Sequence, residues 1–358
     1  MPEQADPGGD AEVLCERRGA AGMITLNRPQ ALNALTHAMV HAIRDALDAW
    51  AVDPAVTRVI VRAAGERAFC AGGDIRHLYD LGSAGRQDEM LPFWRDEYAL
   101  NVRIKHYPKP YVSLIDGIVM GGGVGVSLHG SHRVAGDRYA FAMPEVGIGF
   151  FPDVGATYAL PRLPGRTGTW IALTGERVRA ADAVSLGLAT HHVPSARHGA
   201  LIEALIAAED VETVLARLSG PPDEGSVGRD RALIDDCFAA ETVEGVLAQL
   251  DATAARGAEF AHKTSQTIRS KSPTSLKVAH EQMRRGPGLS FAEAMATEFR
   301  IVARIVHRQD FYEGVRAAII DKDGAPRWCP ATLEEVSPED VARYFAPLGP
   351  DELAVAPS

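Results

Sequence analysis

Cysteine is scarce in this chain. Its four residues, Cys15, Cys70, Cys237 and Cys329, lie far apart and match no metal-binding or redox spacing. They read as reduced thiols, the state expected of a cytoplasmic protein. An excess of positive charge is also missing: 37 Lys and Arg stand against 47 Asp and Glu, a formal net charge of −10. That balance argues against nucleic acid or an anionic membrane as the main partner, although a few local basic residues suffice for a small anionic ligand. Long apolar runs are missing too. The longest uncharged stretch, Gly117 to Ser131, is broken by glycines and too short to span a bilayer. The first ten residues are acidic with no apolar core, unlike a secretory or transit peptide, and Ala356-Pro357-Ser358 is no peroxisomal signal. Aromatics are few, at 6%, against 46% hydrophobic residues. The remaining class is a soluble globular protein of roughly two domains, or one domain with an extension.

Familiar catalytic and cofactor signatures are absent as well. No G-x-G-x-x-G opens a helix ahead of a ribose-binding acid, and there is no Walker loop, G-x-S-x-G elbow or H-E-x-x-H. Asp321-Lys322-Asp323-Gly324 reads as a turn, because a calcium loop would need later acidic ligands. His129 and His132 read as structural, and His191-His192 lies in a strand-like segment. No metal and no separate cofactor are expected.

What is present is an ordered alternation. Residues 1–11 read as disordered. Strands are expected at Glu12–Arg17 and Gly22–Leu26, then a helix capped by Thr36 with Val40, Ile43, Leu47 and Trp50 along one face. Thr57–Arg62 is apolar on both faces, as in a buried parallel sheet. A glycine-rich loop runs from Gly65 to Ile75, a helix over about Asp88–His106, and a strand over Tyr111–Ile115. A further helix is expected from the glycine triplet to about Leu128, with short strands near Ser131–Ala135 and Tyr139–Phe141. This order predicts an α/β fold of stacked crossovers over a largely parallel sheet. From about Pro152 the pattern becomes helical, with a linker at 219–228 and a helical region over 229–358.

Four features carry chemistry. In Phe69-Cys70-Ala71-Gly72-Gly73-Asp74-Ile75 the glycines let backbone amides point outward, and Asp74 can cap the following helix. In Met120-Gly121-Gly122-Gly123-Val124-Gly125 the missing side chains suggest a close approach by backbone. Two such loops, each after a parallel strand, can supply the two N–H donors of an oxyanion hole. In Met143–Gly155 two acids, Glu145 and Asp153, sit among apolar, Gly and Pro residues, where desolvation raises a carboxyl pKa and suits it to proton transfer or attack. Asp153 is also placed to cap the helix that continues toward Tyr158. Finally, Trp94, Glu97, Asn101 and Ile104 share a helix face, so a polar pair interrupts an apolar stripe.

With those residues in view the chain resembles the crotonase (enoyl-CoA hydratase/isomerase) superfamily, and within it the 3-hydroxyisobutyryl-CoA hydrolase branch. The resemblance rests on Ile24–Pro29 with Leu32–Leu35, on Ala68–Ile75, on Met120–Gly125, on Met143–Gly155 and on Leu173-Thr174-Gly175. Phe150–Gly155, Lys271–Lys277 and Phe311–Ala317 with Lys322-Asp323 match the hydrolase branch. The resemblance implies a spiral of ββα units forming an acyl-CoA-binding core over 12–218. It also implies oxyanion donors at Gly73 and Gly122, and paired acids at Glu145 and Asp153. It places Glu97 on the acyl group and coenzyme A along Arg28, Ala68, Ala71, Gly72, Asp74 and Ile75. The implied reaction is hydrolysis of a short branched β-hydroxyacyl-CoA, as in valine breakdown, with coenzyme A entering as part of the substrate. Trimers or hexamers are implied likewise. Hydratases of the family carry a second glutamate where this chain has Gly125, which weighs against alkene hydration. A hydratase or isomerase using Glu145 alone, and a non-catalytic acyl-CoA-binding protein, are the alternatives.

Overall fold

The computed structural model describes residues 11–222 and 225–354; the expectation of a disordered N-terminus falls almost wholly outside them. A hairpin opens the fold: β1 (Val13–Arg18) pairs antiparallel with β2 (Ala21–Leu26). Next come α1 (His37–Val52), β3 (Arg58–Ala63), β4 (Ala68–Cys70), α2 (Ile75–Ser83) and α3 (Leu91–Lys105). Then follow β5 (Tyr111–Ile115), β6 (Ile118–Met120), the short α4 (Gly122–Gly125), β7 (His132–Ala135) and β8 (Ala140–Ala142). β9 (Val178–Arg179) and β10 (His191–His192) complete the strands. The capping of α1 follows the sequence: Thr36 Oγ1 accepts the Met39 N–H, and Met39, Val40, Ile43, Leu47 and Trp50 are buried along one face.

There are two sheets where the sequence reading expects one. The larger has the order β1-β2-β3-β5-β7-β10 and is parallel except for the first hairpin. The smaller has the order β4-β6-β8-β9, with β4, β6 and β8 parallel. Each crossover therefore visits both sheets: β3 then β4, β5 then β6, β7 then β8, each followed by a helical turn. This is the ββα repeat that the resemblance implies. β3 shows why its strand is apolar on both faces. Val59 and Val61 join the main core, while Ile60 faces a second cluster with Met23, Val112 and Leu114 under the helices His198–Ile206 and Val211–Leu218.

Two expected helices are shorter than read. α3 starts at Leu91 with Pro92 in its first turn, after a separate 3-10 turn at Gln87–Glu89. Proline belongs at a helix start, and that divides the expected Asp88–His106 helix. α4 ends at Gly125, and turns carry the chain on to Leu128. Beyond residue 225 the described chain is helical, with Pro273–Arg285 and Phe291–Ile305 packed back onto the first half.

Candidate active site

The smaller sheet sets the site. β4, β6 and β8 lie side by side and parallel, so the three loops leaving them emerge together. After β4 come Ala71, Gly72 and Gly73; after β6, Gly121 and Gly122; after β8, Pro144 and Glu145. Their convergence is a consequence of topology. Gly121 takes φ +45° and Gly72 φ +123°, conformations open to glycine, and these turns bring the backbones close. A Cβ placed on Gly122 would lie 3.3 Å from the Gly73 amide nitrogen, 3.0 Å from Leu35 Cδ1 and 2.6 Å from Glu97 Oε1. Neither the Gly73 nor the Gly122 N–H has an acceptor among the described residues. Both amides are thus free to serve one anionic oxygen.

These groups open onto a cavity of about 610 Å³, lined by Gly73, Gly122, Glu97, Glu145 and Asp153. Its apolar walls include Leu32, Phe93, Trp94, Met120, Ile148 and Phe150, with the Trp94 and Phe150 rings stacked at 5.6 Å. Of the residues expected along coenzyme A, Arg28, Ala71, Gly72, Asp74 and Ile75 line this cleft. Ala68 does not: it is buried in β4, where its carbonyl accepts from Asn33 Nδ2 at 3.0 Å. Arg28 is held by Asp74 at 3.1 Å and by Glu12 at 3.0 Å. Arg76 and Lys322 also line the cleft and form no ion pair among the described residues. Sequence reasoning left the basic residues at this mouth unassigned.

The acids are deeply placed. Glu97, Glu145 and Asp153 are only 2%, 6% and 5% exposed. Burial, then the charge of Asp153, pushes Glu145 well above the usual carboxylate range. Burial followed by Asp153 and Glu298 does the same for Glu97. Asp153 is pushed up to about 7 by burial, against the pull of the Tyr98 hydroxyl, which donates to its Oδ2 at 2.9 Å. Asp153 does not cap a helix. The turn at Ala156–Ala159 starts after Gly155 without a side-chain cap, and the Asp153 carboxyl faces Tyr98. Glu97 Oε1 and Glu145 Oε2 have no partner among the described residues, so each retains an acceptor for a ligand.

Three groups hold the Asp153 loop from behind. Glu298, fully buried, accepts the N–H groups of Gly155 and Thr157 at 2.8 Å each. Gln282 Nε2 donates to the Pro152 carbonyl at 2.9 Å and to Thr157 Oγ1 at 2.7 Å. His129 Nε2 meets the Val154 carbonyl at 2.6 Å, and burial pulls that imidazole down to about 4, leaving it neutral with Nε2–H as donor. Sequence reasoning missed Glu298 and Gln282. Their only signal is polarity on otherwise apolar helix faces.

Gly125 is closed to a longer side chain. A Cβ there would lie 2.7 Å from Asn101 Nδ2 and 3.0 Å from Val154 Cβ.

The family pattern described as enoyl-CoA hydratase/isomerase matches residues 21–345. The chain belongs to the enoyl-CoA hydratase/isomerase family. It is 45% identical over 352 residues to the mitochondrial 3-hydroxyisobutyryl-CoA hydrolase of Mus musculus, covering 96% of this chain and 91% of that protein. The human protein of that name is 43% identical over 349 residues, covering 96% and 90%. Among solved structures, a carnitinyl-CoA dehydratase from Mycobacterium thermoresistibile has a TM-score of 0.91 at 43% identity, covering 97% of this chain and 99% of that one. An enoyl-CoA hydratase from Rhodobacter sphaeroides has a TM-score of 0.90 at 44% identity, covering 96% and 100%. The names of the curated relatives place those proteins in mitochondria, which differs from the cytoplasmic expectation for this chain. Among the described residues no helix is long and apolar enough to cross a membrane.

Proposed function

We propose that this family member hydrolyses the thioester of a short, branched β-hydroxyacyl-CoA, with 3-hydroxyisobutyryl-CoA as the substrate. The observation that carries the reading is the pair of free amides at Gly73 and Gly122 beside the buried Glu145, with no acid at position 125. The names of the curated relatives support it.

In this reading the thioester carbonyl oxygen lies between the two amides. They stabilise the tetrahedral oxyanion by about 3 kcal/mol per donor. Glu145, made more basic by burial, takes a proton from water as the water oxygen attacks the carbonyl carbon, or attacks that carbon itself to give an anhydride that water then opens. The C–S bond breaks when the oxyanion collapses. Asp153, whose pKa is pushed up to about 7, orients Glu145 or the water, or protonates the departing thiolate of coenzyme A. Glu97 binds the substrate hydroxyl. Arg28, Ala71, Gly72, Asp74 and Ile75 line the path of coenzyme A, and Arg76 and Lys322 stand at the same cleft for its phosphates. No cofactor takes part beyond coenzyme A itself. By the same resemblance the chain assembles as a trimer or hexamer; its few, scattered cysteines are what favour the cytoplasm.

A hydratase is the second reading, favoured by the names of the two similar solved proteins, a carnitinyl-CoA dehydratase and an enoyl-CoA hydratase. One assay separates them. Purified protein is given 3-hydroxyisobutyryl-CoA and crotonyl-CoA, with free thiol and loss of the enoyl absorbance followed in parallel. Thiol release from the hydroxyacyl thioester supports hydrolysis; efficient hydration without thiol release refutes it. Oxygen-18 appearing in Glu145 after one turnover in labelled water identifies the anhydride route.

A further inference from the structure

Away from the cleft, one cluster converges ligand atoms that the proposed reaction leaves idle. His37 and His41 stand one turn apart on α1 and project from the same face. Their Nε2 atoms lie 2.6 Å and 2.7 Å from a single oxygen, Asp96 Oδ2, on α3. The imidazole centroids are 4.3 Å apart, and one ligand atom from each of the three residues falls within 4.8 Å of the others. All three side chains are part-exposed, and His37 lines a cavity of about 390 Å³ together with His77 and Glu89, which gives access. Asp96 Oδ2 has lone pairs enough to meet both imidazoles, so two ring nitrogens and a carboxylate oxygen converge on one point.

We propose that His37, His41 and Asp96 bind a single borderline divalent transition-metal ion, such as Zn²⁺ or Co²⁺. Two imidazole nitrogens and one carboxylate oxygen suit these ions, whereas Ca²⁺ and Mg²⁺ take oxygen ligands. A tetrahedral Zn²⁺ spaces such ligand atoms about 3.3 Å apart, so each imidazole nitrogen moves roughly 0.6 Å away from Asp96 Oδ2 to admit the ion. Three protein ligands leave a fourth position for water. The ion ties α1 to α3 at the residue before Glu97, and the His37 ring meets the edge of Phe93, which lines the cleft. It serves as a clip on the helix that bears Glu97 and takes no part in bond breaking. The sequence signal is the His-x-x-x-His spacing; its third ligand is 55 residues from His41 and gives no local sign.

The test is independent of the hydrolase reading because it reads metal binding. Untagged full-length protein, freed of metal by chelator, is titrated with Zn²⁺ by calorimetry and with Co²⁺ by visible absorption. The wild-type chain should take up one ion with the intense visible bands of low-coordinate Co²⁺. His41→Ala and Asp96→Asn should each weaken binding by more than the roughly 10–100-fold that loss of an outer-shell partner costs. His262→Ala, on an exposed helix face elsewhere, should leave it unchanged. Metal-free melting curves matching wild type establish that the variants fold. Equal affinity in all four proteins, or uptake of several weak ions per chain, overturns the proposal as adventitious binding only.

Discussion

Four carboxyl groups, Glu97, Glu145, Asp153 and Glu298, are withdrawn from water in one region, and for each the loss of hydration is the largest influence. Asp153 rises to about 7 and Glu298 to about 8. An acid whose folded pKa exceeds its unfolded value stabilises the fold fully below the unfolded pKa, and that contribution is lost as pH climbs through the folded pKa. Stability should therefore decline between about pH 4 and about pH 8. Asp153→Asn, neutral throughout, should flatten part of the decline, as urea midpoints at about pH 5 and about pH 8 will show; an unchanged slope would clear Asp153 of that role. Gly125 supports a second prediction. Gly125→Glu should create no hydratase, because Asn101 and Val154 already fill the space beside it. Overpacking and an unpartnered buried charge should lower the melting temperature by several degrees, corresponding to about 1–3 kcal/mol. A stable variant that hydrates crotonyl-CoA would refute this.

Among the elements, helix Phe291–Ile305 has the most direct effect on the site without entering it. Glu298 answers two backbone N–H groups, so Glu298→Gln turns its amide toward a donor and leaves one N–H unsatisfied, at a cost of about 1–3 kcal/mol. Turnover should fall more than KM changes, and the pH profile should shift because Asp153 loses a neighbouring acid; wild-type kinetics would show that the loop needs no such support. Helices of this kind were legible in the sequence by their period, and the buried strand β3 by its apolar faces. The three-residue strands β4, β6 and β8 were not recognised as a separate sheet, since so short a run carries no alternation to detect. The glycine loops and buried acids at their ends were legible by residue type alone. The supports behind Asp153 were not, because a glutamate and a glutamine 125 or more residues away in a helix look like surface residues until tertiary packing buries them.

At the scale of the molecule, one apolar core runs from Ile24 to Leu353, so the helical half and the sheet half share an interior. A chain ending at residue 218 would bare the side of α3 that packs against Phe291–Ile305, where Tyr98 meets Phe299 edge to face. It should give no cooperative transition in scanning calorimetry and no thioester cleavage. A sharp transition in the truncated chain would instead mark the first 218 residues as self-sufficient.

The grip of Glu298 on Gly155 spans 143 residues. A ribosome adding about 5–20 residues each second delivers that glutamate about 7–30 s after the loop it holds. Throughout that interval the nascent chain has its acids but no finished cradle for them, so competence for chemistry arrives near the end of synthesis.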